Sequence, residues 1–504
     1  MEFVIKPEHD KGFLWYESDG IYVKGFLFND QDHLLKEKTL ISYFQGVVSP
    51  KDFKNRLYAA NGQFAVIINK GDEVYFSVDR TRTFPLVYSL SEKKLIVSDS
   101  SLIASGGKPE LYDNSIQEFL TTGYVLGKKS LIKNVSQLIG GEFVHYKNKI
   151  TTDSFFDYKK TKQLSTAKPL LEKELKSVLD NLGNRLIKVL NGRTAVIPLS
   201  GGYDSRLIAA LLTKNNYKNI ICFTYGVPSS YEVKTSRKVA QQLKLPWHFV
   251  HYNKTLINGF IETEEFHEYY PYATNYVSSF FTQDYFAVRY LKQNNLIPKD
   301  SVFIPGHSGD LLAGGSIPKD LTEENLLSYI LKRHFNLRKI NTAQYTEKIK
   351  KTFIGGRPFE EFDNWNFKER QGKFIINSNR VFEFFGHKHL IPLWDKELIL
   401  FFQNLELSFK INQNLYNKVL FNSYFQPLKI DFKKPNYPYL IKKTIGLKNR
   451  LYRYVFCDPT NFKYIASQFI RDEELKVKWN STTLNINTVQ TTWYILKLKE
   501  TISN

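Results

Sequence analysis

The chain has 504 residues, enough for two or three domains, because one hydrophobic core rarely serves more than about 250–300 residues. Hydrophobic residues make up 42% and aromatic residues 15%, which excludes wholesale disorder, and two cysteines, Cys222 and Cys457, exclude a disulfide framework or a cysteine zinc site. The charge of +20 favours anionic partners such as nucleic acid, lipid headgroups, acidic glycans or phosphorylated ligands, although a lysine-rich genome explains it equally well.

The first residues contain no basic region followed by a long apolar run, so we expect no secretory signal. No run of about 18 apolar residues occurs, so we expect no membrane span. The expected location is the cytoplasm, with peripheral contact to the inner face of the membrane as an alternative.

Residues 1–160 are predicted to form a β-rich sandwich domain. Short β-rich segments are separated by turn residues, and only one clear helix is predicted, near 115–120. The predicted strands are 22–28, 63–69, 73–79, 86–90 and 94–98, followed by a hairpin of 141–146 and 149–152.

Residues 165–504 are predicted to form a second domain, in which strands alternate with helices. Leucines at helical spacing mark a helix over 170–190. The strands are 194–199, 219–224, 247–252 and 302–305, and helices 204–212 and 232–243 lie between the first three. This alternation predicts a doubly wound parallel sheet with helices on both faces, followed by a mainly helical part, and an α/β fold overall.

The segment Leu199-Ser200-Gly201-Gly202-Tyr203-Asp204-Ser205 lies between the first of these strands and its helix. Two glycines allow a tight turn and a close approach of a ligand to the backbone. The start of the following helix favours phosphate, and the two serines add hydroxyl donors. Asp204 would repel a bare anion, so its presence indicates a magnesium ion between carboxylate and phosphates.

The complete S-G-G-x-D-S string resembles the loop of ATP pyrophosphatases, which cleave ATP between the α- and β-phosphates. The loop Gly306-His307-Ser308-Gly309-Asp310, followed by Gly314-Gly315, is similar to the second signature of asparagine synthetases and β-lactam synthetases. The resemblance to the asparagine synthetase family covers nearly the whole chain. In the N-terminal part of the chain, residues 61–66, 79–80 and 84–88 resemble the family. In the C-terminal part, residues 389–397 and 417–420 do so.

The resemblance implies an N-terminal domain of the N-terminal-nucleophile-hydrolase type and an ATP-pyrophosphatase synthetase domain that uses ATP and magnesium. It implies Asp204 and Asp310 as metal ligands. Lys418, in an element similar to the family's K-x-x-L, is the implied catalytic lysine, with Lys429 and Lys433 as alternatives. The implied ATP- and pyrophosphate-binding residues are Leu199, Ser200, Gly201, Gly202, Asp204, Ser205, Phe223, Thr224, Gly226 and Gly306.

The chain departs from the family at two positions. Family glutaminases use the amine and thiol of a cysteine exposed by methionine removal, whereas this chain has Glu2, so we expect no glutamine hydrolysis. His307 occupies a position that is acidic in asparagine synthetases and a tyrosine in β-lactam synthetases. We expect His307 to act as a base towards the attacking amine, with a backbone or phosphate contact as the alternative.

Together these features predict adenylation of a carboxylate, release of pyrophosphate, and attack by an amine that does not come from glutamine. Basic and aromatic residues are interleaved over 428–454, which suits an acidic glycan, including a lipid-linked one, or an anionic membrane surface; a solvated helix face is the alternative. A peptide cyclised as by lasso-peptide cyclases is the second substrate class, and a small-molecule amide or lactam is the third.

Two other functional classes stay open. An RNA-modifying ATP pyrophosphatase would share the first loop, but the expected β domain and the absence of cysteines near the loop make nucleic acid an unfavoured partner. A scaffold without catalysis is the other, against which the two intact aspartates weigh. The sequence does not indicate an oligomeric state.

Overall fold

The computed structural model describes residues 1–338, 343–433, 461–471 and 485–503, and the strands of these residues form three sheets. Cys457 and the part of the basic and aromatic segment beyond Lys433 lie outside the described residues. The first two sheets are N-terminal and the third is a parallel C-terminal sheet, so the predicted α/β class is confirmed. The predicted boundary between 160 and 165 stays a prediction.

The N-terminal part contains a seven-stranded and a four-stranded sheet. The first has the order β11-β10-β6-β5-β3-β2 with β4 paired to β3, and the second has the order β1-β8-β7-β9. Aromatic pairs such as Phe76–Tyr88, whose ring centroids are 5.3 Å apart, join the two sheets. The strands are β1 Glu2–Ile5, β2 Trp15–Ser18, β3 Ile21–Phe28, β4 Leu34–Lys36, β5 Asn61–Asn69, β6 Val74–Val78, β7 Val87–Leu90, β8 Lys94–Ser98, β9 Val135–Gln137, β10 Glu142–Lys147 and β11 Lys149–Ser154.

The prediction of a single helix in this part was wrong. The structure has α1 Lys38–Phe44, α2 Pro50–Ala59, α3 Ser101–Ala104 and α4 Asp113–Thr122. The start of α2 follows ordinary capping chemistry, because the side chain of Ser49 accepts a hydrogen bond of 3.2 Å from the backbone of Asp52 and proline follows the cap. α1 and α3 have 7 and 4 residues, and α2 buries only Phe53 and Leu57, so these helices offer too few periodic apolar positions to stand out from neighbouring strands.

The C-terminal sheet is five-stranded and entirely parallel. Its strands are β12 Ala195–Pro198, β13 Ile220–Gly226, β14 Trp247–His251, β15 Val302–Phe303 and β16 Lys388–His389. The order is β14-β13-β12-β15-β16, so successive strands extend the sheet first to one side and then to the other. The direction reverses between β12 and β15. The four strands predicted here are present, with the last one shorter than expected.

Helices cover both faces of this sheet, as predicted. The helices from 168 onwards are α5 Lys168–Leu190, α6 Tyr203–Lys214, α7 Tyr231–Gln242, α8 Lys254–Ile257, α9 Glu264–Thr274, α10 Tyr285–Gln293, α11 Gly309–Leu312, α12 Glu323–His334, α13 Ala343–Lys350, α14 Pro358–Trp365, α15 Arg380–Phe384, α16 Lys396–Asn404, α17 Leu407–Lys410, α18 Asn414–Leu420, α19 Phe462–Phe469 and α20 Ile486–Ser503. Two π-helices, Asn366–Ile375 and Phe421–Phe425, and 3₁₀ turns at Phe260–Glu262, Ile376–Asn379, Pro392–Trp394 and Ile411–Gln413 complete the described helices. None of the helices searched within the described ranges has the length and apolar character needed to cross a membrane.

Alternate residues of the strands divide the core between the two faces. Ile197 and Cys222 pack with α5 and α6, whereas Val196 and Phe223 pack with the aromatic helices α9, α10 and α15. Such alternation is expected when both faces of a parallel sheet are covered. Burial raises the pKa of the Cys222 thiol to about 12, which makes it an inert core residue.

The N-terminal sheet is attached to the C-terminal part by buried polar contacts. Asn61 on β5 donates to the Asp395 carboxylate at 3.0 Å and accepts from the Lys396 backbone at 2.8 Å. Asp395 also receives two hydrogen bonds of 2.8 and 2.9 Å from the guanidinium of Arg185 on α5. The carboxylates of Asp395 and Glu397 raise the pKa of Arg185 against the opposing effect of burial. Asp395 therefore joins three separate elements.

We expect Asp395→Ala to lower the free energy of unfolding by about 3–5 kcal/mol, because it leaves the buried Arg185 without its main partner. Urea denaturation followed by circular dichroism measures this loss. Asp32→Ala is the matched control: its carboxylate also pairs with Arg185 but is 47% exposed, so its loss should cost about 1 kcal/mol or less. Equal losses for both variants would contradict the assignment.

Candidate functional site

The two glycine-rich loops lie side by side at the carboxyl ends of β12 and β15. These strands are neighbours, and the strand order reverses between them. In open α/β sheets a crevice forms at such a reversal, because the loops that follow the two strands run to opposite faces of the sheet. The fold thus places both predicted loops at the edge where ligands bind.

The first loop is held by its own serines. Ser205 Oγ accepts a hydrogen bond from the Ser200 backbone at 3.1 Å and lies 3.1 Å from Ser200 Oγ. Ser200 Oγ also accepts from the Gly202 backbone at 3.1 Å. No side chain caps α6, whose cap residue is Gly202. The loop is therefore a closed turn at a positive helix end, a geometry that suits phosphate oxygens.

Two glycines of the second loop allow it to touch the first. A Cβ at Gly306 would lie 2.3 Å from the backbone nitrogen of Ser205, and one at Gly309 would lie 2.8 Å from Asp204 Oδ1. A side chain at Gly306 would push the two backbones apart, because the Cβ would overlap backbone atoms of Asp204 and Ser205. Gly309 instead leaves room for the side chains of Asp204 and Tyr416.

Asp204 and Asp310 meet where the loops touch. Asp204 Oδ2 accepts a hydrogen bond of 3.0 Å from the backbone N–H of Asp310, and Asp204 Oδ1 accepts one of 3.0 Å from the hydroxyl of Tyr416 on α18. The Asp310 side chain is exposed. Burial, and then the charges of the two aspartates, raise the pKa of Tyr416, so its hydroxyl stays a donor. The structure brings the two predicted metal ligands together.

The donor set fits magnesium that arrives with a nucleotide. Magnesium is commonly held by one or two carboxylates together with substrate phosphates. Within the described residues no group of three or more histidine, cysteine, aspartate or glutamate side chains is placed to hold a metal. Asp204 and Asp310 would therefore provide the protein's share of the coordination, and phosphate oxygens would complete it.

A pocket of about 330 Å³ extends from the first loop along the carboxyl ends of the strands. This volume lies in the range of small-molecule sites. Ser200 and Ser205 lie at one part of its wall, whereas Tyr225 and Asp284 come from β13 and the start of α10. His307 lines the same pocket.

The predicted nucleotide-binding residues contact this pocket to different extents. Leu199, Ser200, Ser205, Phe223, Thr224 and Gly306 line it. Thr224 also holds the loop, since its hydroxyl donates to the Leu199 carbonyl at 2.6 Å. The other four, Gly201, Gly202, Asp204 and Gly226, are not among the lining residues, and Gly226 pairs with His251 at the end of β13. The structure therefore places six of the ten predicted residues on the pocket wall.

His307 is a neutral ring on the pocket wall. Removal from water, and then the neighbouring His389, lower its pKa to about 4. Its Nδ1 has no hydrogen-bond partner within the described part of the chain. An unprotonated imidazole can accept a proton, although a conjugate acid of such low pKa makes it a weak base. The base role of His307 stays a prediction.

Asp284 is a pocket residue that the sequence did not reveal. Burial raises the pKa of its carboxyl to about 6, opposed by a hydrogen bond from the Tyr225 side chain. Its position near the start of a helix is ordinary for aspartate, so the sequence alone offers no signal of a pocket.

A π-helix supports the second loop. Gln371, in the π-helix Asn366–Ile375, accepts a hydrogen bond of 2.7 Å from Ser308 Oγ, and both side chains are buried. Ser308 has a φ of 71°, in the left-handed region that a non-glycine residue rarely adopts. This bond stabilises the turn between His307 and Asp310. π-Helical segments are frequent at functional sites, and hydrophobic periodicity does not reveal them.

The expectation that Lys418 belongs to the site is not met by its position. Lys418 Nζ pairs with Glu172 on α5 at 2.7 Å and its side chain is 46% exposed. Residues two apart on a helix point in different directions, so Tyr416, not Lys418, reaches Asp204 from α18.

Lys433 lies closer to the first loop. The Arg206 guanidinium donates to the carbonyls of Ile430 at 3.0 Å and Phe432 at 2.7 Å. The hydroxyl of Tyr231, whose ring lies beside Gly201, donates to the Lys433 carbonyl at 3.1 Å. The side chains of Lys433 and of the other alternative, Lys429, are both exposed.

Residues 193–427 match the family model of asparagine synthase. The chain contains an asparagine synthase domain. The resemblance to the asparagine synthetase family is thereby confirmed for these residues, and a domain of this kind indicates an ATP-using ligase or amidotransferase. The asparagine synthase domain includes the parallel sheet, both loops and α18, whereas the two N-terminal sheets precede it.

No curated protein sequence matches the chain. Among solved structures, the chain is similar to a glutamine phosphoribosylpyrophosphate amidotransferase of B. subtilis complexed with ADP and GMP, with 12% identity over 60% of this chain and a TM-score of 0.18. It is also similar to an allosteric regulatory enzyme of purine biosynthesis, with 12% identity over 59% of this chain and a TM-score of 0.19. The alignments span 58% of each of those chains, and scores this low carry no argument about fold or function.

We expect Gln371→Leu to weaken the binding of magnesium-ATP to the asparagine synthase domain by about 5- to 100-fold, because a buried hydroxyl loses its partner and the strained Ser308 turn loses its support. Isothermal titration calorimetry measures the dissociation constant. Adding Ser308→Gly should restore much of the affinity, since glycine adopts a positive φ without strain and has no hydroxyl to satisfy.

Gln403→Leu is the control, because Gln403 is a similarly buried glutamine on α16 that bonds elsewhere. Unchanged affinity in Gln371→Leu, or an equal loss in Gln403→Leu, would refute the positioning role of Gln371.

Proposed function

We propose that the chain is an ATP-dependent ligase that adenylates a carboxylate and joins the acyl group to an amine. The observation that carries this proposal is the contact between Asp204 and Asp310, which unites the two loops beside a pocket in the size range of small-molecule sites. In the first step a carboxylate oxygen bonds to the α-phosphorus of ATP and pyrophosphate leaves. In the second step the amine nitrogen bonds to the acyl carbon, AMP leaves, and the amine gives up a proton.

The first loop would bind the departing pyrophosphate. The Ser200 and Ser205 hydroxyls and the uncapped start of α6 offer donors and a positive helix end on one surface. Asp204 and Asp310 would hold magnesium, which neutralises phosphate charge when it is bound. Tyr416 fixes one oxygen of Asp204, so that the carboxylate is oriented before the ligand arrives.

A lysine near the loop would stabilise the negative charge that develops during acyl transfer. Lys433 is the lysine that we propose for this role in place of Lys418, because Tyr231 donates to its carbonyl and Arg206 donates to the carbonyl of the preceding Phe432 beside the loop. Lys418 is engaged with Glu172 on the other side of α18.

His307 is proposed to accept the proton of the attacking amine. Its support is position, since it lines the pocket and directly follows Gly306. Its neutral state at pH 7 leaves a ring nitrogen lone pair for this task.

The amine is proposed not to derive from glutamine hydrolysis in this chain. Glu2 provides no thiol, and its carboxylate is exposed and lies 3.4 Å from Lys94 Nζ. Asn61 and Gln63 on β5 are bonded to the segment 389–396. These polar groups therefore have a structural use in joining the two parts of the chain.

The acyl donor is proposed to be an acidic glycan that carries uronic acids, lipid-linked or near an anionic membrane surface. A peptide cyclised through an acidic side chain is the second class, and a small-molecule amide or lactam is the third. The support is the net charge of +20 and the basic and aromatic segment after Leu428. A cytoplasmic location, with the membrane contact as a peripheral one, belongs to the same proposal.

Pyrophosphate exchange tests the reaction. The protein is incubated with ATP, magnesium and labelled pyrophosphate, and uronic acids, acidic peptides and acidic amino acids are screened with and without candidate amines. We expect exchange that depends on one class of carboxylate and falls by at least about 100-fold in Asp204→Asn. Asp153→Asn, a change at an exposed aspartate of β11, should leave exchange intact.

Failure to bind magnesium-ATP and to form AMP under any of these conditions would make the ligase proposal wrong and favour a scaffold. Exchange that requires RNA instead of a carboxylate would identify an RNA-modifying enzyme.

A further inference from the structure

Asp284 occupies the cap position of α10 but does not cap the helix. Aspartate is strongly preferred at such positions because its carboxylate accepts hydrogen bonds from the first turn. Here the side chain makes no capping bond and turns instead to the Tyr225 hydroxyl on the pocket wall. The helix thus forgoes an ordinary stabilising contact, and the carboxylate faces a cavity.

The position of this carboxylate is fixed by its neighbours. The ring of Tyr225 stacks on Tyr252, with centroids 4.9 Å apart and an angle of 14° between the planes. The Tyr252 hydroxyl donates to the Gln283 carbonyl at 2.5 Å and accepts from the Ala287 backbone at 3.1 Å. Asp284 therefore projects from a rigid junction between β13 and α10, which is the condition for discriminating between ligands.

The carboxylate lacks a cationic partner. Among the residues that the structure describes, no lysine, arginine or histidine forms an ion pair with Asp284, and its pKa is set by burial and the Tyr225 bond. A carboxylate only accepts hydrogen bonds, so this part of the pocket favours a ligand that donates an N–H or O–H. The negative charge of Asp284 would repel phosphates. We therefore expect phosphates to bind at the part of the wall formed by Ser200 and Ser205.

We propose that Asp284 selects the base of the nucleotide. Its carboxylate accepts a hydrogen bond from the exocyclic amine of adenine, and purines with a 6-oxo group bind more weakly. This inference rests on the proposed function, since it assumes that the pocket is the ATP site. Phe281 and Ile375 beside Asp284 provide apolar surface that suits a planar ring. Tyr225 orients the carboxylate. A 6-oxo group would face the Asp284 carboxylate as a second acceptor, with no proton between the two oxygens to form a hydrogen bond.

Calorimetric titration with ATP and with inosine triphosphate, each with magnesium, tests this proposal on the full chain. The wild type should bind ATP at least about tenfold more tightly than inosine triphosphate. In Asp284→Asn the ratio should fall towards one, because an amide turns to offer either a donor or an acceptor. Asp284→Ala, which has neither, should also lose the preference.

Asp320→Asn is the matched control, because Asp320 also accepts from a tyrosine hydroxyl, that of Tyr329, and does not line the pocket. It should keep the wild-type ratio. Circular dichroism confirms the fold of each variant.

Each other outcome overturns the inference in a recognisable way. If ATP binds but Asp284→Asn and Asp284→Ala keep the wild-type ratio, Asp284 does not read the base and the proposed ATP site still stands. If the variants instead change the ratio of ATP to 2′-deoxy-ATP alone, the carboxylate binds the ribose. If neither nucleotide binds the wild type, the proposed function fails together with the inference.

Discussion

The hydrogen bond from the backbone of Asp310 to the carboxylate of Asp204 determines how the site is assembled. It requires two loops in direct contact, which the small volumes of Gly306 and Gly309 permit. It also requires β12 and β15 to be neighbours, which follows from the reversal of strand order. The covered faces of the sheet keep these strands in register, so the site depends on core packing as much as on its own polar groups.

The same contact holds the Asp204 carboxylate against the backbone of a second acidic residue, Asp310, and a partly buried carboxylate needs a cation or fixed donors. Part of the compensation is internal, because Tyr416 and the Asp310 N–H both donate to Asp204. The buried Gln371–Ser308 bond supports a left-handed turn in the same loop. A strained backbone turn of this kind persists where the surroundings over-determine it, and such turns are characteristic of functional sites.

The sequence predicts the features of the site that depend on residues close together in the chain. The strands of the parallel sheet, both loops and the two aspartates follow from periodicity, glycine positions and the family resemblance. Tyr416, Gln371 and Asp284 were not found, since their roles depend on contacts between elements far apart in the chain. Lys418 illustrates the converse: its motif places it on the correct helix, but the rotation of the helix directs it to Glu172. The helices α1, α2 and α3 were missed because each has few apolar residues at helical spacing among neighbouring strand signals.

The separation of the site residues along the chain has a consequence for folding. Asp204 lies 106 residues before Asp310 and 212 residues before Tyr416, so closing these contacts fixes very long loops. Strands β12, β13 and β14 follow one another closely, whereas β15 and β16 can join only after much more of the chain has been made. A ligand that bridges both loops would stabilise contacts between segments far apart in the chain. Ligand-binding competence would then mark the completion of folding and would be absent from partly synthesised chains.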